Sequence, residues 1–280
     1  MTIHLAQHYG MCFGVRDALR ATHAAAVQEP VTVLGQLVHN PVVDAHLTLM
    51  GVRRGVLEEL DSATTERVIV TAHGASDHQR QRWQQAGHQI TDTSCPLVKK
   101  AHHALASLVQ EGYHPVVIGQ RSHVEVRGLI GDHPQASVLL EADDACCVPS
   151  RPKLGIVSQT TQPLDHVLKV VEAVKRQHRS SEVRFVDTIC RPTKQRQTAL
   201  EQLARTCELI VVIGGRNSNN TRQLTEKART LGVQARQVET PDELCPDWFY
   251  GVTHVGVTAG TSTLDETVRA VMDRLQKISA

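Results

Sequence analysis

The chain has 280 residues, with 30 Lys and Arg against 29 Asp and Glu, 16 His, 7 Cys and only 3% aromatic residues. A net charge of +1 gives no electrostatic reason to bind nucleic acid, and so few aromatics leave no base-stacking surface. No apolar run approaches membrane-spanning length, and Met1-Thr-Ile-His-Leu5 lacks the basic start of a signal peptide, so a soluble cytoplasmic protein is expected.

Short β-rich runs alternate with helical periodicity. Strands are predicted at Val31–Leu34, Arg67–Thr71, Pro115–Ile118, Leu154–Val157, Val183–Val186, Leu209–Ile213 and Val255–Thr258. The clearest helix is the last, where Leu264, Val268, Val271, Leu275 and Ile278 share one face. This alternation predicts an α/β fold with small parallel sheets. An odd number of widely spaced cysteines argues against a disulfide framework.

A degenerate threefold repeat underlies the pattern. Cys12, Cys95 and Cys190 each open a helix-like stretch, with a basic residue four places on (Arg16, Lys99, Lys194). A strand with a polar tip follows 27 or 28 residues later, at His39, His123 and Ser218. A second comes later in each repeat, at His73, Thr160 and Ser262. The units are read as residues 12–95, 96–189 and 190–280, with 1–11 packing against the third. Ligands of parallel α/β sheets bind beyond the carboxyl ends of strands. Three such units would gather three thiols and about six polar groups.

Single cysteines at such positions are commonly buried thiols in tight turns. A helix N-terminus and a nearby basic residue also favour thiolate. Three thiolates can hold zinc with one open position, or a cubane iron–sulfur cluster with one iron uncovered by cysteine. The close C-x-x-C spacings of electron-transfer clusters and zinc ribbons are absent around these three, which favours a site that handles a substrate.

Eight motifs then occur in order: Gly10-Met-Cys-Phe-Gly-Val-Arg-Asp-Ala18, Val38-His-Asn40, Ala72-His-Gly74, Asp92-Thr-Ser-Cys-Pro-Leu-Val98, Ser158-Gln-Thr-Thr161, Asp187-Thr-Ile-Cys190, Gly214-Gly-Arg-Asn-Ser-Asn-Asn220 and Gly256-Val-Thr-Ala-Gly-Thr-Ser262. Together they resemble the 4-hydroxy-3-methylbut-2-enyl diphosphate reductases, the IspH/LytB family, from about residue 10 to 265. The resemblance implies a trefoil of three α/β units around a central [4Fe–4S] cluster, one per chain. It implies Cys12, Cys95 and Cys190 as ligands and an apical iron open to the substrate hydroxyl. The implied reaction is a two-electron reductive dehydroxylation giving isopentenyl and dimethylallyl diphosphates, with ferredoxin or flavodoxin as electron donor.

The resemblance also assigns residues. Glu125 falls at the family's proton donor and Thr160 beside it, orienting the hydroxyl or relaying the proton. The diphosphate set is His39, His73, His123, Ser218, Asn219, Asn220 and Ser262. Imidazoles beside a diphosphate should have raised pKa values. Taken alone, Glu125 reads as an exposed loop glutamate, and Ser262-Thr-Leu-Asp265 and Thr263-Leu-Asp-Glu266 read as helix caps. Cys146, Cys147, Cys207 and Cys245 read as packing or incidental thiols. The chain departs from the family at Val124, usually proline, at Arg127, where glutamate is common, at Asn219, often serine, and at Arg191-Pro192. The changes at Val124 and Arg127 bear on the placement of Glu125.

Three other readings compete. Zinc hydrolysis has half its signature in His123-Val-Glu125 but lacks Pro-Cys-x-x-Cys. A quinolinate-synthase-like cluster enzyme and a non-catalytic iron–sulfur redox sensor remain alternatives.

Overall fold

The computed structural model describes residues 1–279. In chain order the elements are β1 (Thr2–Leu5), α1 (Phe13–Gln28), β2 (Val31–Leu34), α2 (Pro41–Leu49), β3 (Arg53–Gly55), β4 (Arg67–Val70), α3 (Asp77–Gln85), β5 (Gln89–Asp92), α4 (Pro96–Gln110), β6 (His114–Ile118) and α5 (Val124–Gly131). There follow β7 (Ser137–Leu139), β8 (Lys153–Ser158), α6 (Leu164–Gln177), β9 (Glu182–Phe185), α7 (Arg191–Ala204), β10 (Leu209–Ile213), α8 (Asn219–Thr230), β11 (Gln234–Val238), β12 (His254–Ala259) and α9 (Asp265–Ser279).

The strands form three four-stranded sheets, ordered β3-β2-β4-β5, β7-β6-β8-β9 and β1-β12-β10-β11. Every pairing is parallel. By compactness the chain divides into two units. One contains Met1–Val15, His39–Val42 and the chain from Arg191 onward, and so holds the β1-β12-β10-β11 sheet. The other contains Arg16–Val38 and Val43–Cys190, and holds the remaining two sheets. Segment 1–11 supplies β1, which pairs with β12 from Thr2 opposite His254 to Leu5 opposite Val257.

Parallel strands covered on both faces read as continuous apolar runs, and the central strands here do. All five residues of β10 are buried. Val211, Ile213, Val255 and Val257 pack against Val268, Val271 and Leu275 of α9, as the periodicity of that helix predicts. On the other face Ile210 and Val212 meet Leu200 and Leu203 of α7 and Leu224 of α8. In the larger unit Val116, Ile156 and Leu154 pack under Val167, Val170 and Val174 of α6. Trp83 fills the β2–β4 sheet's core, its indole N–H donating to the Leu57 carbonyl at 2.9 Å.

The three sheets share a local construction. Gly35, Gly119 and Gly214 directly follow β2, β6 and β10, and each amide donates to the last residue of the neighbouring edge strand, at 2.9, 2.8 and 2.9 Å. Four residues after each glycine stand His39, His123 and Ser218. The repeat in the sequence is therefore a repeat of strand end, turn and helix start.

Candidate active site

Each of the three predicted ligand cysteines lies one residue before a helix: Cys12 before α1, Cys95 before α4 and Cys190 before α7. Each also anchors its amide on a carbonyl two residues beyond a central strand. Cys12 donates to Thr261 at 3.0 Å, Cys95 to Ala72 at 3.0 Å and Cys190 to Thr160 at 2.9 Å. Cys95 caps α4, with Pro96 at the first helical position, where a missing N–H costs nothing. All three thiols are half-buried and none is in a disulfide.

The aspartates of two cysteine motifs have a local purpose. The Asp92 carboxylate accepts the Ser94 amide at 2.9 Å, and the Asp187 carboxylate accepts the Ile189 amide at 3.0 Å. Both are Asx turns, which bend the chain just ahead of the cysteine three residues on. The first repeat uses other means. Gly10 adopts φ +68°, and buried Arg196 of α7 donates to the carbonyls of Gly10, Tyr9 (3.3 Å) and Pro192 (2.9 Å).

Lys99, four residues after Cys95, is engaged by the Asx turn ahead of that cysteine. Its ammonium pairs with Asp92 at 2.8 Å, and Arg80 lies 3.6 Å from the same carboxylate. Burial pushes Asp92 up, but hydrogen bonds from Lys99 and Ser94 outweigh it and leave the pKa lowered.

In the larger unit His123 caps α5. Its Nδ1 accepts the Glu125 amide at 3.2 Å, so the hydrogen of the neutral ring sits on Nε2. The rings of His73 and His123 meet edge to face, 5.5 Å between centroids. Glu125 is not the exposed loop glutamate that its neighbours suggested. It lies on the first turn of α5 and is 2% exposed. Its two oxygens accept from Thr160, one from the amide at 2.6 Å and the other from the hydroxyl at 3.0 Å. Burial dominates these contacts and raises its pKa to about 7.

The two departures beside Glu125 have their own places in the larger unit. Arg127 is exposed and pairs with Glu58 at 3.1 Å. Val124 takes the first position of α5 without breaking the His123 cap.

In the smaller unit Ser218 caps α8, its hydroxyl accepting the Thr221 amide at 3.4 Å. Asn219 and Asn220 follow, both buried. Asn220 is occupied by its own protein: Oδ1 accepts the Thr261 amide at 3.1 Å and Nδ2 donates to Thr193 Oγ1 at 3.4 Å. Ser262 is no helix cap, because α9 starts at Asp265. Its hydroxyl instead donates to the His39 carbonyl at 3.1 Å, while Asn40 Nδ2 donates to the Ser262 carbonyl at 2.6 Å. Burial, helped by the nearby Arg222 charge, lowers the His39 pKa to about 4. Gly215 permits this junction: a Cβ there would lie 2.8 Å from the His39 carbonyl oxygen.

Asn40, Arg196 and Gly215 were missed as positioning residues by sequence reasoning. Asn40 and Gly215 stood inside quoted motifs, but their partners lie 222 and 176 residues away. Arg196 sits in a polar stretch of α7 that gives no signal of burial.

The family model described as LytB protein matches residues 3–276. A 4-hydroxy-3-methylbut-2-enyl diphosphate reductase of Geobacter metallireducens is 38% identical, with 100% of this chain and 99% of that protein covered. The protein of the same name from Aquifex aeolicus is 34% identical over 99% of this chain and 96% of its own length. Among solved structures, the Plasmodium falciparum E-1-hydroxy-2-methyl-but-2-enyl-4-diphosphate reductase superposes with a TM-score of 0.93 at 26% identity, covering 98% of this chain and 88% of that one. A second, described as (E)-4-hydroxy-3-methyl-but-2-enyl diphosphate reductase, the terminal enzyme of the non-mevalonate pathway, gives a TM-score of 0.70 at 33% identity over 99% of this chain and 100% of that one. With its fold, its ordered motifs and its full-length relatives all in agreement, the chain belongs to the LytB family.

Proposed function

We propose that this chain is an iron–sulfur oxidoreductase that removes the hydroxyl of (E)-4-hydroxy-3-methylbut-2-enyl diphosphate with two electrons and two protons. The products are isopentenyl and dimethylallyl diphosphates and water. The observation that carries the chemistry is Glu125: a buried carboxyl with a pKa raised to about 7, held by both polar groups of Thr160. Hydroxide is a poor leaving group, so its departure needs an acid that is protonated at neutral pH yet able to give the proton up.

The donor set suits a cluster. Three half-buried thiols outside any disulfide, each at a helix start and each tethered through its amide, are what three-cysteine ligation requires. We assign Cys12, Cys95 and Cys190 as the ligands of one [4Fe–4S] cluster. When bound, the cluster supplies electrons and the Lewis acidity of the iron that no cysteine holds. The electrons come from ferredoxin or flavodoxin, single-electron carriers suited to a cluster.

The remaining steps belong to the chain's own residues. In its protonated state Glu125 donates to Thr160 Oγ, and the hydroxyl of Thr160 passes a proton to the substrate oxygen. His123 offers Nε2–H to the diphosphate because Nδ1 is committed to the α5 cap. His39, whose pKa lies near 4 in its buried setting, takes up a proton when a diphosphate charge comes beside it. His73, Ser218, Asn219 and Ser262 add donors. Asn220 contributes by fixing the α8 start against Thr261 and Thr193.

The testing experiment compares the wild-type protein with Glu125→Gln, both carrying a reconstituted cluster, under anaerobic conditions with a reduced viologen. The reductase loses substrate-dependent dye oxidation while its cluster absorbance is unchanged. A redox sensor would be indifferent to the substitution, and equal behaviour of the two proteins would refute the assignment.

A further inference from the structure

Cys146 and Cys147 have no part in the family's motifs, and of the two readings, packing residue or incidental thiol, their exposure excludes the first. They end a short 3-10 turn, Ala142–Cys147, and both are exposed. Their sulfurs lie 3.9 Å apart, and the Cys146 thiol also reaches the Asp143 carbonyl at 3.2 Å. The turn beneath them is fixed. Asp144 accepts the amides of Leu140 and Glu141, both at 2.8 Å. Ala145 and Val148, which flank the pair, are buried in the core beneath α6. The sulfurs are therefore held near one another on an anchored backbone.

Two fates are open to such a pair, and geometry separates them. A disulfide wants its Cα atoms about 4.4–6.8 Å apart. Adjacent residues across a trans peptide offer only about 3.8 Å, so oxidation strains the peptide. A bridging ion fits better. Two zinc–sulfur bonds of about 2.3 Å at a tetrahedral angle span about 3.8 Å, close to the observed separation. Thiolates select soft, filled-shell ions. Asp144 adds negative charge beside Cys147. The Cys147 thiol holds its proton because Cys146 hydrogen-bonds to it and adds charge beside it, with Asp144 contributing further. A cation must displace the protons, which makes binding proton-linked.

We propose that the Cys146–Cys147 dithiol is a binding site for one thiophilic divalent cation of the Zn2+ or Cd2+ class, separate from the three cysteines assigned to the cluster. Two S–H bonds are replaced by two sulfur–metal bonds, two protons leave, and water completes the coordination. No electron is transferred.

Phenylarsine oxide is the probe, because it condenses with two neighbouring thiols, losing one water, and does not form this adduct with a single thiol. Cluster-loaded wild-type protein takes up one arsenical per chain, and peptide mapping places it on Cys146 and Cys147. Cys146→Ser and Cys147→Ser each abolish the adduct without changing dye-linked turnover. One equivalent of CdCl2 added first blocks labelling and releases two protons. The proposal fails if the adduct persists in either variant, or if Cd2+ in tenfold excess leaves labelling unchanged. It also fails if the wild type refuses the arsenical while a maleimide labels both thiols.

Discussion

Thr160 ties Glu125 to Cys190: its amide and hydroxyl hold the carboxylate at 2.6 and 3.0 Å, and its carbonyl accepts the Cys190 amide at 2.9 Å. The same arrangement recurs in the smaller unit, where the Thr261 amide donates to Asn220 and its carbonyl accepts the Cys12 amide. Glu125 and Asn220 both stand two residues past the cap of their helix, after His123 and Ser218. The repeat thus builds one scaffold and varies one side chain. The smaller unit places an amide, Asn220, where the larger unit places a carboxyl, Glu125.

The first prediction concerns pH. With Glu125 in its proposed role as the acid and its pKa raised to about 7, turnover in wild type should fall about tenfold per pH unit above that value. Glu125→Gln lowers kcat by about 10²-fold or more and loses this limb. Stability follows the same direction with pH. The folded pKa lies above the ordinary value of 4.5, so the folded chain binds a proton that the unfolded chain has released. That contribution is complete below about 4.5 and is lost as pH rises through about 7. At pH 8 the Gln variant should therefore melt no lower than wild type, as calorimetry at pH 5 and 8 would show.

The second concerns the Asx turns ahead of Cys95 and Cys190. Asp92→Ala and Asp187→Ala each remove a hydrogen bond to a charged acceptor and destabilise the turn by about 1–2 kcal/mol. Iron bound per reconstituted chain should fall. Asp92→Asn and Asp187→Asn keep an accepting oxygen, and should keep their iron. For Asp92 the lowered pKa means its stabilising contribution is present above the ordinary carboxylate range and is lost as pH falls through the folded value. Asp92→Asn thus loses pH-dependent stability while retaining the cluster.

Much of this was legible before any coordinates. The central strands β2, β4, β6, β8, β10 and β12 were all predicted, because burial on both faces writes them as apolar runs. The strands missed were β1, β3, β5, β7 and β11, all of them at sheet edges. Arg53-Arg-Gly55 and Gln234-Ala-Arg-Gln-Val238 keep polar side chains toward water and carry no apolar signal. The placement of the three cysteines at helix starts, and of His39, His123 and Ser218 just beyond strand ends, was readable because the repeat keeps their spacing. Arg196 and the burial of Glu125 were not, since both depend on contacts between segments far apart in sequence.

The third prediction uses Gly215. A Cβ would meet the His39 carbonyl at 2.8 Å, so Gly215→Ala must displace the His39–Ser262 junction. Overpacking of this kind costs about 1–3 kcal/mol. The expected result is a KM raised about tenfold with the cluster spectrum unchanged. An unaltered KM would show that His39 does not bind substrate.

The fourth is a control. Arg127 and Glu58 are partly exposed and their pair should contribute less than about 1 kcal/mol. Arg127→Ala should leave kcat and its pH profile within twofold of wild type. A shifted pH limb would mean that Arg127 does reach Glu125.

The most direct measurement is product analysis after anaerobic turnover of the cluster-reconstituted protein with (E)-4-hydroxy-3-methylbut-2-enyl diphosphate and reduced viologen. Reductive dehydroxylation predicts both isopentenyl and dimethylallyl diphosphates, with two electrons drawn from the dye for each molecule formed. An intact cluster that oxidises no dye and forms neither product would contradict it.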